Sequence, residues 1–243
     1  MKRGRGFWIR GLVCFLLWGF AFACSGPTAP PSTAPPATPS DELPAEDLPP
    51  TVDASGTYLQ ANYQLADGEW GFVHVTEADM PWVVAVRRPP EPPKRGSSTQ
   101  ARDAAIEAIR MWETAIRPHV PWFRLEFVEE GRDAQVQVVW KRRIPGRRAG
   151  FGGMRVAQGD GAFRVGGQLT ISTTPSRFSR LDVDQVRYLV AHEFGHVLGL
   201  GHCLDCDSAM NYSWHTRERV LVTETDVRTF VALLAQPVGS RVP

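Results

Sequence analysis

Three histidines fall at positions 192, 196 and 202, with a glutamate at 193 and a glycine at 199. Residues four apart on an α-helix share one face, so His192 and His196 can aim two imidazoles at one ion, with Glu193 beside them. The third imidazole has to come from outside that helix. Gly199 can take the left-handed conformation that ends a helix, so the chain can turn sharply there and bring His202 back toward the same point. The spacing therefore predicts a helix that stops at a fixed place. Three neutral imidazoles leave a fourth tetrahedral position for water, as an open catalytic zinc site requires. Glu193 lies too close in sequence to His192 to bind the same ion comfortably, and is placed instead to take a proton as a general base. Only six histidines occur in the chain, so three of them in ligand spacing outweigh the reading of a helix with ordinary core or surface histidines. A zinc site that only holds the fold is the stronger alternative. Such sites are closed by a fourth protein ligand, usually cysteine, and Cys203 and Cys206 follow directly.

The run HEFGHVLGLGH, His192 to His202, has the form H-E-x-x-H-x-x-G-x-x-H, and here the chain resembles the metzincin metallopeptidases, most closely the matrixin branch. Ser208-Ala209-Met210 resembles the Met-turn, which in this family puts a methionine beneath the metal ligands. Asn211-Tyr212 departs from the matrixin pattern, where a proline lies two residues after the methionine. A tyrosine there is similar to that of astacins and serralysins, which makes Tyr212 a candidate transition-state hydrogen-bond donor; a packed aromatic is the alternative. The Asn211-Tyr212-Ser213 glycosylation triplet would fall on a buried turn and is discounted.

The resemblance implies an α+β fold: a twisted mixed sheet packed on a first long helix and on the zinc helix, then the Met-turn and a C-terminal helix. The residues upstream fit that order. Ser97-Ser98-Thr99 can cap a helix in which Ala105, Ile109, Trp112 and Ile116 recur at helical spacing before Pro118 stops it. Residues 81–86, 122–128, 134–140 and 167–172 are expected as strands, with a turn at Glu129-Glu130-Gly131. Asp182 is expected to cap the zinc helix with Gln185 at its third position, and Thr223 to Asp226 to open a final helix carrying Val227, Phe230, Val231 and Leu234. The glycine-rich stretch Gly150 to Gly153 lies where matrixins place the edge strand that pairs with extended substrate. Specificity is expected in residues 213–219, which resemble in position the wall of the pocket after the cleaved bond. Residues 62–79 fit either a short prosegment or an added strand.

Residues 1–23 have the form of a signal peptide, with a basic start and an apolar core too short to span a membrane. Cys24 follows Ala21-Phe22-Ala23 in an arrangement resembling a bacterial lipobox. The protein is thus expected to be exported, either as an outer-membrane or cell-surface lipoprotein or freely secreted. Residues 24–57, dominated by Pro, Ala, Ser and Thr, are expected to be an extended tether. Residues 58–243 suffice for one peptidase domain. A net charge of +1 gives no electrostatic case for nucleic acid. The basic cluster Lys141-Arg142-Arg143 with Arg147-Arg148 fits a solvated loop, or a contact with acidic substrates or lipid headgroups. In an exported chain Cys203 and Cys206 favour a disulfide. With no other cysteine between Cys24 and Cys203, the matrixin cysteine switch is absent, and with no histidine between His119 and His192 so are ligands for a second, structural zinc. A weak calcium site at Asp160, Asp182 or Asp184 is legible only as a possibility of composition.

Together these features lead to the expectation of a monomeric zinc endopeptidase acting on protein or peptide substrates, with membrane contact only through an N-terminal lipid. The rival is a non-catalytic surface-binding protein that keeps the zinc fold as a scaffold, and retention of Glu193 argues against it.

Overall fold

Ser97 begins the first long helix by accepting a hydrogen bond from the Gln100 N–H, while the Gln100 side chain accepts from the Ser97 N–H. This reciprocal cap satisfies two donors that a helix start otherwise leaves orphaned. The helix, α1 (Ser98–Ile116), buries Ala101, Ala104, Ala105, Ala108, Ile109, Trp112 and Ile116 on one face, at the spacing the sequence implies. The computed structural model describes residues 56–65, 68–131, 133–145, 149–159, 162–175, 179–204, 206–211 and 222–242. Cys24, Arg147, Arg148, Asp160, Tyr212 and the segment 213–219 lie outside them.

Strands β1 (Tyr63–Gln64) and β2 (Trp70–Gly71) form a small antiparallel pair. The main sheet contains β3 (Trp82–Val86), β4 (Leu125–Val128), β5 (Val136–Lys141), β6 (Gly150–Gly159) and β7 (Ala162–Ser172) in the order β4-β3-β5-β7-β6. It is mixed: β3 runs parallel to β4 and β5, β5 parallel to β7, and β6 antiparallel to β7. Helix α2 (Val183–Val197) carries the histidine motif and packs on β6 and β7, while α1 packs on β3 and β4. The Trp112 indole donates across the helix pair to the Ala191 carbonyl at 2.8 Å. Trp112, Phe194, Leu169 and Ile171 are fully buried between these layers. Each such side chain contributes about 1.5–3 kcal/mol relative to exposure.

Several expected boundaries move. The strand expected at 122–128 begins at Leu125, because residues after α1 continue turning: the Val120 N–H donates to the Ile116 carbonyl and the Phe123 N–H to the Val120 carbonyl. The strands expected at 150–153 and 167–172 are halves of much longer ones, paired as a hairpin from Gly150 opposite Ile171 to Gly159 opposite Ala162. Residues 62–79 are not set apart from the domain, since Phe72, Val73 and Val75 are buried in it and β1 and β2 lie within the segment. Helix α3 (Glu224–Leu234) is capped by Thr223 and Asp226 as expected, but its buried face is Asp226, Val227, Thr229, Phe230 and Leu233. Val231 is exposed. The apolar stripe lies one residue earlier than Val231 and Leu234 suggest, because Tyr58 donates its hydroxyl to buried Asp226 at 2.6 Å and draws that side inward.

Candidate metal centre

Helix α2 is built to hold its last turns still. Asp182 accepts from the Gln185 N–H at 2.8 Å and Gln185 accepts from the Asp182 N–H at 3.0 Å, fixing the start. At the other end Gly199 takes φ +91°, a conformation that L side chains rarely adopt. The helix stops there, and the chain folds back to His202.

His192, His196 and His202 converge so that one ligand atom from each lies within 4.8 Å of the others. Among the described residues this is the group of three or more His, Cys, Asp or Glu that can hold a metal ion. Nδ1 of His192 faces the Ala209 carbonyl at 2.8 Å, and Nδ1 of His196 faces the Leu200 carbonyl at 2.8 Å. A neutral imidazole carries a single N–H. Placing it on Nδ1 in both rings satisfies these carbonyls and leaves a lone pair on each Nε2. Nε2 of His196 lies 3.2 Å from Nε2 of His202. For metal–nitrogen bonds of about 2.0–2.1 Å, two corners of a tetrahedron are about 3.3–3.4 Å apart, so the donor set fits zinc.

Burial pushes all three imidazoles toward the neutral form. His192 is lowered to about 4 by burial, with a further push from His202, against the raising effect of its bond to Ala209. His196 is lowered to about 3 by burial and then by His192, and His202 to about 4 by burial and then by His196. Neutral imidazole is the form that ligates a metal, so these groups need shed no proton near neutral pH to do so.

Glu193, only 5 % exposed, lies under the start of β6. A Cβ built on Gly150 would meet Glu193 Oε1 at 2.3 Å, and one on Gly152 would meet the Glu193 carbonyl oxygen at 2.0 Å. Residues two apart on a strand share a face, so this pair of glycines lets the edge strand settle directly on the glutamate. Met210 is fully buried beneath the helix, and a Cβ on Gly195 would lie 2.1 Å from its sulfur. Gly195 is thus the notch that admits Met210. The sequence marks both features only as glycines at suggestive spacing.

Cys203 and Cys206 are bonded to each other, so neither offers a thiolate to close a structural zinc site. Asn211 is buried, and its amide donates to the Cys206 carbonyl at 2.7 Å, which ties the cysteine loop to the methionine turn. Asp182 is engaged in its cap and Asp184 in an ion pair with Arg187. Of the basic cluster, Arg142 lies 3.8 Å from Glu91.

A mixed sheet backed by a histidine-bearing helix, a glycine-ended turn supplying the third imidazole and a methionine beneath them define a metzincin-type zinc metallopeptidase. The matrixin family model matches residues 50–234, and the chain belongs to the matrixins. No curated protein matches the sequence.

Proposed function

We propose that the chain is an exported zinc endopeptidase that cleaves extended segments of protein substrates. The carrying observation is the convergence of the His192, His196 and His202 imidazoles on the helix whose Glu193, next to His192 in sequence, packs under the edge strand β6. A zinc ion held by the three imidazoles supplies Lewis acidity toward the scissile carbonyl and toward a water. Glu193 acts as general base, taking a proton from the attacking water on a carboxylate oxygen as the new C–O bond forms. It then delivers that proton to the amine nitrogen as the C–N bond breaks. Backbone groups of β6 can pair with an extended peptide, which gives affinity with little dependence on sequence. Tyr212, outside the described residues, is assigned to hydrogen bonding of the oxyanion. The basic start and Cys24 support export, with the enzyme either lipid-anchored through that cysteine or freely secreted.

Glu193→Gln tests the assignment. It should leave zinc content and fold unchanged while peptide hydrolysis drops by about 10²–10⁴. Equal activity, or equal inactivity, of wild type and variant across a broad peptide library with zinc bound would favour the surface-binding rival. Mass spectrometry of the mature N-terminus reads the anchoring: a diacylglyceryl Cys24 marks the lipoprotein and a free N-terminus the secreted form, and an intact Met1 in cell-derived protein would remove the export reading.

A further inference from the structure

The turn that delivers His202 is gripped by a side chain 137 residues earlier in the sequence. Asn62 forms a closed pair with the backbone of buried Val73: its Oδ1 accepts from the Val73 N–H at 2.9 Å and its Nδ2 donates to the Val73 carbonyl at 2.8 Å. The Asn62 N–H also donates to the Gly71 carbonyl at 3.1 Å. An amide held on both sides in this way has no rotational freedom left, and its second Nδ2 hydrogen points to the Gly199 carbonyl at 3.3 Å. Gly199, with φ +91°, directly follows the C-cap residue Leu198 of α2. A Cβ there would strike Asn62 Nδ2 at 2.4 Å, and a Cβ on Gly201 would strike Gln60 Oε1 at 2.0 Å. The two glycines of the turn are therefore seats for two amide side chains of the N-terminal segment. Between them, the Leu200 carbonyl accepts from His196 Nδ1.

We infer that Asn62 is a positioning residue for the metal centre, holding the Gly199–Gly201 turn so that the Leu200 carbonyl orients His196 and the chain presents His202. The inference rests on the zinc assignment and adds that the N-terminal segment is part of the site. Groups that orient metal ligands typically change affinity by about 10–100-fold when lost. Asn62 acts one peptide unit further out, so the lower end of that range applies. Binding linkage is reciprocal: if Asn62 helps to hold the metal, zinc must help to hold the segment around Asn62.

The test is competitive zinc titration of the full chain against a chromogenic chelator, with Asn62→Ala, His202→Ala and Gln64→Ala compared with wild type. Gln64 donates to the Gly68 carbonyl in the same small hairpin and faces solvent. Asn62→Ala should raise the zinc dissociation constant about tenfold and perturb the cobalt d–d spectrum, while Gln64→Ala leaves both unchanged. A merely structural role would lower the melting temperature of the zinc-free variant without moving the dissociation constant, and that result overturns the inference. Hydrogen exchange on wild type gives a second reading that needs no variant. Zinc should slow amide exchange across residues 59–73, and absence of that protection overturns the inference even if Asn62→Ala does not fold. Failure of wild type to bind zinc, or retention of zinc by His202→Ala, would instead sink the metal assignment itself.

Discussion

The two edges of the main sheet are built in opposite ways. At one edge β4 is four residues long, and its first N–H is covered by the Glu113 carboxylate at 2.9 Å. At the other, β6 runs for ten residues, opens with three glycines within four positions and rests on the catalytic helix through Gly150 and Gly152. A short edge with a covered donor resists pairing with another chain, whereas a long one invites it. Under the proposed function, recognition and protection are thus separated to opposite ends of one sheet.

Adding one methyl group on the recognition edge should have the largest effect. Gly152→Ala places a Cβ against the Glu193 carbonyl oxygen, and backbone cannot move aside as a flexible side chain can. Overpacking of this kind costs about 1–3 kcal/mol, and a shift of about 1 Å at a reacting group can cost about 10²-fold in rate. The expected outcome is a loss of kcat/KM of about 10²-fold with zinc still bound, read by steady-state kinetics and metal analysis. Normal activity in this variant would mean that β6 does not set the position of Glu193.

Acid should separate the two edges next. In the zinc-free protein the folded-state values of about 4, 3 and 4 for His192, His196 and His202 lie below the ordinary 6.5. The unfolded chain therefore binds protons first as pH falls. Stability present above about pH 6.5 is lost progressively toward pH 4 to 3 and then levels off as the folded histidines protonate. Amides of α2 and β6 should lose exchange protection across that window before those of α1 and β4. Simultaneous loss at both edges would show that the sheet opens as one unit.

On the protected edge, Glu113→Ala removes the acceptor for the Leu125 N–H and should lower stability by about 1 kcal/mol, measured by denaturant unfolding, with kcat/KM unchanged. Gly153→Ala should do least. Its Cβ would meet nothing nearer than the Phe151 ring at 3.5 Å, so a change within about 0.5 kcal/mol is expected. A large effect there would show that the outer face of β6 is also occupied.

Local rules made α1, α2 and the start of α3 legible, since each opens on a side-chain cap and continues at helical spacing. The same is true of the metal centre: His192, His196, Gly199 and His202 encode their convergence within one turn and its exit. The β6–β7 hairpin was legible only in part, because glycine weakens the strand signal at the positions where close approach requires it. Trp122 has a strand-like side chain but falls in a turn that α1 sets. The true face of α3 depends on Tyr58, which lies 168 residues away from Asp226 in sequence. Asn62 was invisible for the same reason. Its partner Gly199 is 137 residues distant, and no periodicity connects them.

Tyr58 also decides where a mechanical load would go. Its hydroxyl is bonded to Asp226 and its N–H to Thr229 at 3.3 Å, so α3 holds the chain before it reaches Gln60 and Asn62. Tension applied through residues preceding Tyr58 is delivered first to this anchorage on the last helix. The turn that carries His202 lies downstream of it on the load path, and a pull on the chain ahead of Tyr58 is spent on α3 before it reaches the metal ligands.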